Sequence, residues 1–374
     1  MDFSLTPEQQ ALSELAQRIL EDALTPPRLR EIEAGEEWFD RAAWVELARA
    51  KLLGLALPEE VGGEGLGLIE LCLLLEQAGR TVAPLPVLPT LVLGALPVAA
   101  FGSETQRRRW LPGVASGDLV LTAALTEPDG DDPLVPSTRA RRDARGWRLE
   151  GVKTCVPAAH LAAVILMPAR TEDGGVGVFA LDPRAAGVVT ERQVATTGEP
   201  QFRIALAGAV AEDVLGDPSA GAPIVGWMVE RALVALAATQ LGVTERALAM
   251  TAQYTTGREQ FGRPIASFQA VHQRAADAYI DVEAIRLTMW QAAWRLAEGL
   301  PATTAVAVAK FWAAEAAHRV VYAAQHLHGG IGVDVDYPLH RYYLWSKQLE
   351  LTLGSGTRTL ARLGAELARR PPDP

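Results

Sequence analysis

The sequence predicts an α+β protein of three domains: an all-helical domain over 1–117, a small β-barrel or sandwich over 118–220, and a C-terminal four-helix bundle over 221–374. Three observations predict it. The 374 residues exceed what one hydrophobic core usually holds. The apolar period is helical as far as Asp118, where short runs broken by Gly, Pro and Asp take over. From Pro223 the helical period returns and holds to the end.

Thr6–Pro7–Glu8 reads as a helix start, with a capping hydroxyl, proline at the first helical position and an acid in the first turn. Leu12, Leu15, Ala16, Ile19 and Leu20 then recur at helical spacing. A helix over Arg41–Leu53 is expected to end at Gly54, and the loop Gly62–Gly67 leads into an apolar helix over Leu68–Gly79. The prolines of Pro84–Pro97 preclude one regular helix and predict short buried ones. Strands are expected over Leu119–Leu125, Trp147–Lys153, Ala162–Met167, Gly177–Leu181 and Arg203–Leu206. Long helices follow over Ile224–Thr256, Phe268–Glu298 and Ala302–His326, the last opened by Pro301. In the second, Phe268, Val271, Ala275, Ala278, Tyr279, Val282, Ile285 and Met289 form one stripe, as an antiparallel bundle requires.

With 49% hydrophobic and 21% charged residues, the chain has the composition of a globular protein. A formal charge of −10 argues against a nucleic-acid partner, and the Arg107–Arg109 and Arg139–Arg142 clusters read as solvated surface. Cys72 and Cys155 lack disulfide or zinc spacing. The six histidines have no HExxH context, so no metal is expected; His272 reads as a packed histidine, and His326 and His328 as flanks of a glycine turn. Met1–Asp2–Phe3–Ser4 opens no secretory signal, and no uncharged apolar run reaches membrane-spanning length. The expectation is a cytoplasmic protein without membrane insertion.

Four motifs remain: Pro58–Glu59–Glu60–Val61–Gly62–Gly63, Leu125–Thr126–Glu127–Pro128, the dodecapeptide Arg258–Gln269, and Gln325–His326–Leu327–His328–Gly329–Gly330–Ile331–Gly332. In type and order they resemble the acyl-CoA dehydrogenase family, and they span nearly the whole chain. The resemblance implies an FAD cofactor whose diphosphate and adenosine are clasped by the dodecapeptide and the glycine turn, drawn from neighbouring subunits. Arg258 would meet the diphosphate, as guanidinium geometry suits phosphate oxygens. Phe261, Ile265 and Phe268 would line the adenine, with polar contacts from Gln269 and Gln325. Gln260, Leu327, Gly329, Gly330, Ser355 and Thr357 complete the implied cofactor set, and Thr126 would lie against the flavin ring. Without the resemblance, Arg258 is a helix-end arginine favoured by the dipole. The glycines, likewise, would be only a helix terminator.

The sequence departs from the family at three places. The small Ala–Gly–Ser–Asp turn is replaced by Asp129–Gly130–Asp131–Asp132, whose carboxylates repel anions. The Trp–Ile–Thr–Asn strand reads Cys155–Val156–Pro157–Ala158, without the hydroxyl that reaches flavin N5. The catalytic glutamate is replaced by Leu353 in one register and Ser355 in another. Removal of an α-proton beside a thioester requires a base. Glu230 is the candidate, sharing a helix face with Leu233, Val234, Ala237 and Leu241. The alternative is an exposed acid in the first turn of a helix, attracted by the dipole.

The family branch without the C-terminal glutamate is similar to subunits of heteromeric dehydrogenases of steroid side chains. The resemblance therefore implies α,β-dehydrogenation of a bulky acyl-CoA or related thioester in fatty-acid or steroid catabolism. A homo- or heterotetramer and an electron-transferring flavoprotein as acceptor are implied with it. The alternatives are a non-catalytic partner subunit, or the same fold serving another flavin reaction such as monooxygenation.

Overall fold

The computed structural model describes residues 3–130, 132–144 and 146–369, so Asp131, Met1 and Asp2, on which sequence readings above rest, lie outside it. In chain order the helical elements are α1 (Pro7–Ala23), α2 (Pro26–Glu33), α3 (Arg41–Arg49), α4 (Leu68–Arg80), a π-helix (Leu88–Ala95), α5 (Leu96–Phe101) and α6 (Glu104–Ala115). The strands are β1 (Val120–Ala123), β2 (Arg139–Asp143), β3 (Gly146–Pro157), β4 (Ala162–Arg170), β5 (Val176–Leu181), β6 (Val188–Val194), β7 (Pro200–Val210) and β8 (Asp213–Leu215). Then come α7 (Ala222–Gly257), a hairpin of β9 (Glu259–Gln260) and β10 (Arg263–Pro264), α8 (Gln269–Ala297), α9 (Thr303–His328), α10 (Leu339–Leu351) and α11 (Gly356–Arg369). The chain forms two compact units: Met1–Pro26 with Cys72–Ala83 and Leu233–Pro374, and Pro27–Leu71 with Pro84–Ala232.

In the second unit, α3 stops at Arg49, short of the expected Leu53. Lys51 adopts φ 62°, which no α-helix accommodates, and Leu52–Gly54 form a separate 3₁₀ turn. The proline-rich stretch corrects the expectation of separate short helices: the helical path is continuous from Leu88 to Phe101. Pro89 and Pro97 each fall in the first two positions of their segments, where the missing N–H costs little, and wider π winding joins them. This helix lies directly on β1, because a Cβ at Gly94 would meet Leu121 Cβ at 2.3 Å.

The β region is one connected sheet in the order β6-β7-β3-β2-β4-β5-β8, with β1 beside β4. Its pairs are antiparallel except β1 with β4 and the single Arg139–Arg170 pairing of β2 with β4. Strand β7 shows why the alternating pattern was legible, since Phe202, Ile204 and Leu206 are buried and the residues between them are not. Strands β2 and β6 escaped the sequence reading because they are polar: in β2 only Ala140 is buried, and Arg139, Arg141 and Arg142 are exposed. The core gathers Ile165, Met167, Phe179, Leu181, Phe202 and Ile204.

In the first unit α8, α10 and α11 pack on α9. The buried face of α9 carries Val306, Ala309, Ala313, Ala317, Val320 and Ala324, whose small side chains admit close helix approach. Helix α7 is tied to α10 by Gln240 Nε2, which donates to Ser346 Oγ at 2.7 Å. At its crossing with α4 there is no room for side chains: a Cβ on Gly242 would sit 1.8 Å from Glu76 O, and one on Gly79 2.0 Å from Thr239 O. The predicted stripe of α8 is buried at Ala278, Val282, Ile285 and Met289, but Tyr279 and His272 are exposed. The earlier turns of α8 thus have no core to face, and His272 is not a packed histidine. Helix α7 is long and apolar enough to cross a membrane by length and composition alone, yet 67% of its most apolar window is buried in the protein. Such burial is that of a core helix, and Glu230, Arg231, Glu245 and Arg246 interrupt its apolar run.

Beside the glycine crossing, Glu76 is buried next to Glu245, which accepts a hydrogen bond from Arg286 and lies 3.9 Å from Arg80 Nη1. Burial, and secondarily the Glu245 carboxylate, push the Glu76 carboxyl up to about 8. A carboxyl raised in the folded state binds a proton that the unfolded chain has released, so stability falls as pH rises from 4.5 towards 8. Glu76→Gln should flatten that slope, which approaches about 1.4 kcal/mol per pH unit for one proton. Urea midpoints across this range check it; an equally steep variant would show that Glu76 is ionised throughout.

Candidate active site

The dodecapeptide forms a tight hairpin at the end of α7. Phe261 (φ 54°) and Gly262 (φ 75°) both take the left-handed conformation that a two-residue hairpin turn demands. The turn holds the Phe261 ring in solvent, 91% exposed, against the edge of Phe268 at 6.1 Å. Arg263 lies over the other ring, 4.2 Å from the Phe268 centroid. Arg258 follows the last helical residue, is exposed, and among the described residues makes no side-chain hydrogen bond or ion pair. Gln260 and Gln269 are exposed, and Ile265 is half-buried.

One turn before Arg258, the Tyr254 ring stacks on His328 at 4.4 Å, immediately ahead of the glycine turn. His328 Nδ1 is 2.8 Å from Ala324 O and Nε2 is 3.1 Å from the Tyr337 hydroxyl. Burial holds this imidazole below its ordinary pKa, so it is neutral, donating through Nδ1 and accepting through Nε2. The stack sets the hairpin and the glycine turn of one chain side by side. Sequence spacing alone missed Tyr254 and Tyr337, since neither lies in a motif.

At Gly329 and Gly330 nothing lies within 4 Å of where a Cβ would be, so the backbone is open to a ligand. Gln325 does not share that openness. With its amide oriented to satisfy both groups, its nitrogen donates to Gly332 O and its oxygen accepts from Val333 N, each at 3.0 Å. The side chain expected to contact adenosine braces the end of the glycine turn. Leu327 is half-buried.

The turn where the family carries its glutamate is fixed at both ends. Lys310, wholly buried on α9, donates to Leu349 O at 2.7 Å and Glu350 O at 3.1 Å, capping α10, and burial brings its ammonium down to about 7. Ser355 O accepts from Thr359 N at 2.9 Å and opens α11, while a Cβ at Gly356 would meet Glu315 Oε1 at 2.4 Å. Leu353 takes φ 57°, and none of the turn's own residues carries a carboxylate, although that of Glu315 on α9 lies against Gly356; Thr357 is exposed on α11.

In the second unit, Thr126 is held by its backbone, its carbonyl accepting from Thr154 N at 3.0 Å. Glu127 beside it is structural. Its carboxylate accepts from Lys153 Nζ at 2.7 Å, Thr138 Oγ1 at 2.6 Å and Ser137 N at 2.5 Å. Pro157, which lacks the family's hydroxyl, accepts from Thr122 Oγ1 through its carbonyl at 2.9 Å. Cys72 is buried, Cys155 is exposed with φ 50°, and neither is in a disulfide. Glu230 is half-buried in the third turn of α7, and Val234, Ala237 and Leu241 along its face are buried.

Helices, sheet and helical bundle with these motifs define an acyl-CoA dehydrogenase architecture. The family's N-terminal, middle and C-terminal domain models match residues 6–118, 122–206 and 220–367, and the chain belongs to this family of flavin-dependent oxidoreductases. Its relatives include the acyl-CoA dehydrogenase FadE27 of Mycobacterium tuberculosis, 42% identical over 99% of this chain and all of that one. Among solved structures it is similar to the ChsE4–ChsE5 complex of the same organism, at TM-score 0.93 and 41% identity over 99% of this chain and 100% of that chain. The Tcur3481–Tcur3483 steroid ACAD matches at TM-score 0.91 and 47% identity, over 96% of this chain and 98% of that one.

Proposed function

We propose that this chain binds FAD and takes part in α,β-dehydrogenation of a bulky acyl-CoA or related thioester, with Glu230 as the base. The observation that carries the cofactor assignment is the face formed by Arg258, Phe261, Gly329 and Gly330. A cation without a partner, a fully exposed aromatic and an open glycine backbone fit a diphosphate and an adenine. Bound flavin supplies the hydride acceptor. The chain's own residues hold the diphosphate at Arg258, cover the adenine with Phe261 and Phe268, and offer the Glu230 carboxylate for the α-proton. Similarity to steroid ACAD components supports a bulky acyl group. A homo- or heterotetramer, and an electron-transferring flavoprotein as acceptor, complete the reading.

The absorption spectrum of the purified chain tests it. A yellow protein bleached anaerobically by an acyl-CoA is the expected result. Arg258→Ala should weaken cofactor retention by about 2–5 kcal/mol, as when one partner is stripped from a charge pair. Unchanged flavin occupancy in that variant would reduce Arg258 to a helix-end residue. The second reading, a non-catalytic subunit completing a partner's site, is favoured by the absent carboxylate at Leu353 and Ser355 and by similarity to two-component complexes. It requires a chain that is colourless alone and becomes yellow only with its partner.

A further inference from the structure

We propose that Arg231 is an oxyanion-binding residue of the thioester site, receiving either a phosphate of the thioester's nucleotide or a carboxylate on its acyl chain. The inference rests on the thioester reading above and adds the residue that recognises charge. Arg231 lies beside Glu230 on α7, its guanidinium carbon 3.7 Å from the Trp227 ring centroid. One Nη donates to Trp227 O at 3.3 Å, and Phe101 braces the Trp227 ring edge-on, with centroids 5.1 Å apart. Among the described residues no carboxylate lies within ion-pair distance of Arg231; Glu230 acts on it only through space. Arg286, also partly buried, does have such a partner in Glu245, and the buried Lys310 is matched by two backbone carbonyls instead.

Burial without an acid is unfavourable for a guanidinium and brings this one down to about 10. The indole covers one face of the cation and leaves in-plane N–H groups unused. Those are the donors that engage carboxylate or phosphate oxygens in pairs. Glu230 and Arg231 then have separate tasks, one accepting a proton and the other anchoring a negative group of the same molecule.

Calorimetric titration of the flavin-loaded protein with octanoyl-CoA, the mono-thioester octanedioyl-CoA and octanoyl-pantetheine tests the assignment. Arg231→Gln should weaken binding of an anionic ligand by roughly ten- to a hundredfold, the range for a hydrogen bond to a charged group. Arg231→Lys should recover part of it. Loss with octanoyl-CoA but not with octanoyl-pantetheine assigns the phosphate; loss confined to octanedioyl-CoA assigns the acyl carboxylate. Unchanged affinities in Arg231→Gln, or equal loss on all three ligands, would overturn the proposal. A wild-type protein that binds none of the three refutes the thioester reading and this inference with it.

Discussion

Lys153→Met should destabilise the protein by about 3–5 kcal/mol, the usual cost of removing one member of a buried ion pair. The Lys153 side chain is 0% exposed and that of Glu127 5%, so water cannot replace the lost partner. Lysine and the Thr138 hydroxyl hold the Glu127 carboxyl down at about 2, while burial lowers the ammonium of Lys153 itself. A depressed carboxyl contributes stability that is complete above 4.5 and is lost as pH falls towards 2. The gap between wild type and variant should therefore narrow across that acid range. Adding Glu127→Gln to Lys153→Met should recover part of the loss, because the uncharged amide oxygen can still accept from Thr138, although Ser137 N loses its acceptor. Denaturant unfolding of the three proteins decides the matter, and a Lys153→Met midpoint equal to wild type would mean that water reaches the pair.

Glu230→Gln should slow substrate reduction of the flavin by about 10²–10⁴-fold, the contribution of a positioned general base. The substitution keeps the shape and leaves Arg258, Phe261 and the glycine turn untouched, so the protein should remain yellow. Anaerobic stopped-flow reduction by an acyl-CoA separates the two properties. Full reductive rates in the variant would exclude Glu230 and favour a base on a partner chain.

Much of the fold was legible because the hydrophobic period changes abruptly. The alternation of Phe202, Ile204 and Leu206 and the helical spacing of α7 to α9 reflect faces that must be buried. Polar strands β2 and β6 left no such trace, since backbone hydrogen bonding alone makes Arg139–Asp143 a strand. Motif residues were legible at the candidate site, but their state was not. Gln325 and Glu127 sit in motifs that read as ligand contacts, yet both spend their polar atoms inside the protein.

The sequence by itself determined the family, the order of helical and β regions, the placement of Arg258, Phe261 and Gly329 in the family's motifs, and the absence of a glutamate at Leu353 and Ser355. These are properties of residue type and spacing, which the linear chain carries. Only the tertiary structure decided that Tyr254 stacks on His328 to join hairpin and glycine turn, that Lys153 neutralises Glu127, that Glu76 lies against Glu245, and that no acid among the described residues lies within ion-pair distance of Arg231. Each depends on burial and on partners distant in sequence, and the electrostatics of a side chain is set by that surrounding dielectric and charge.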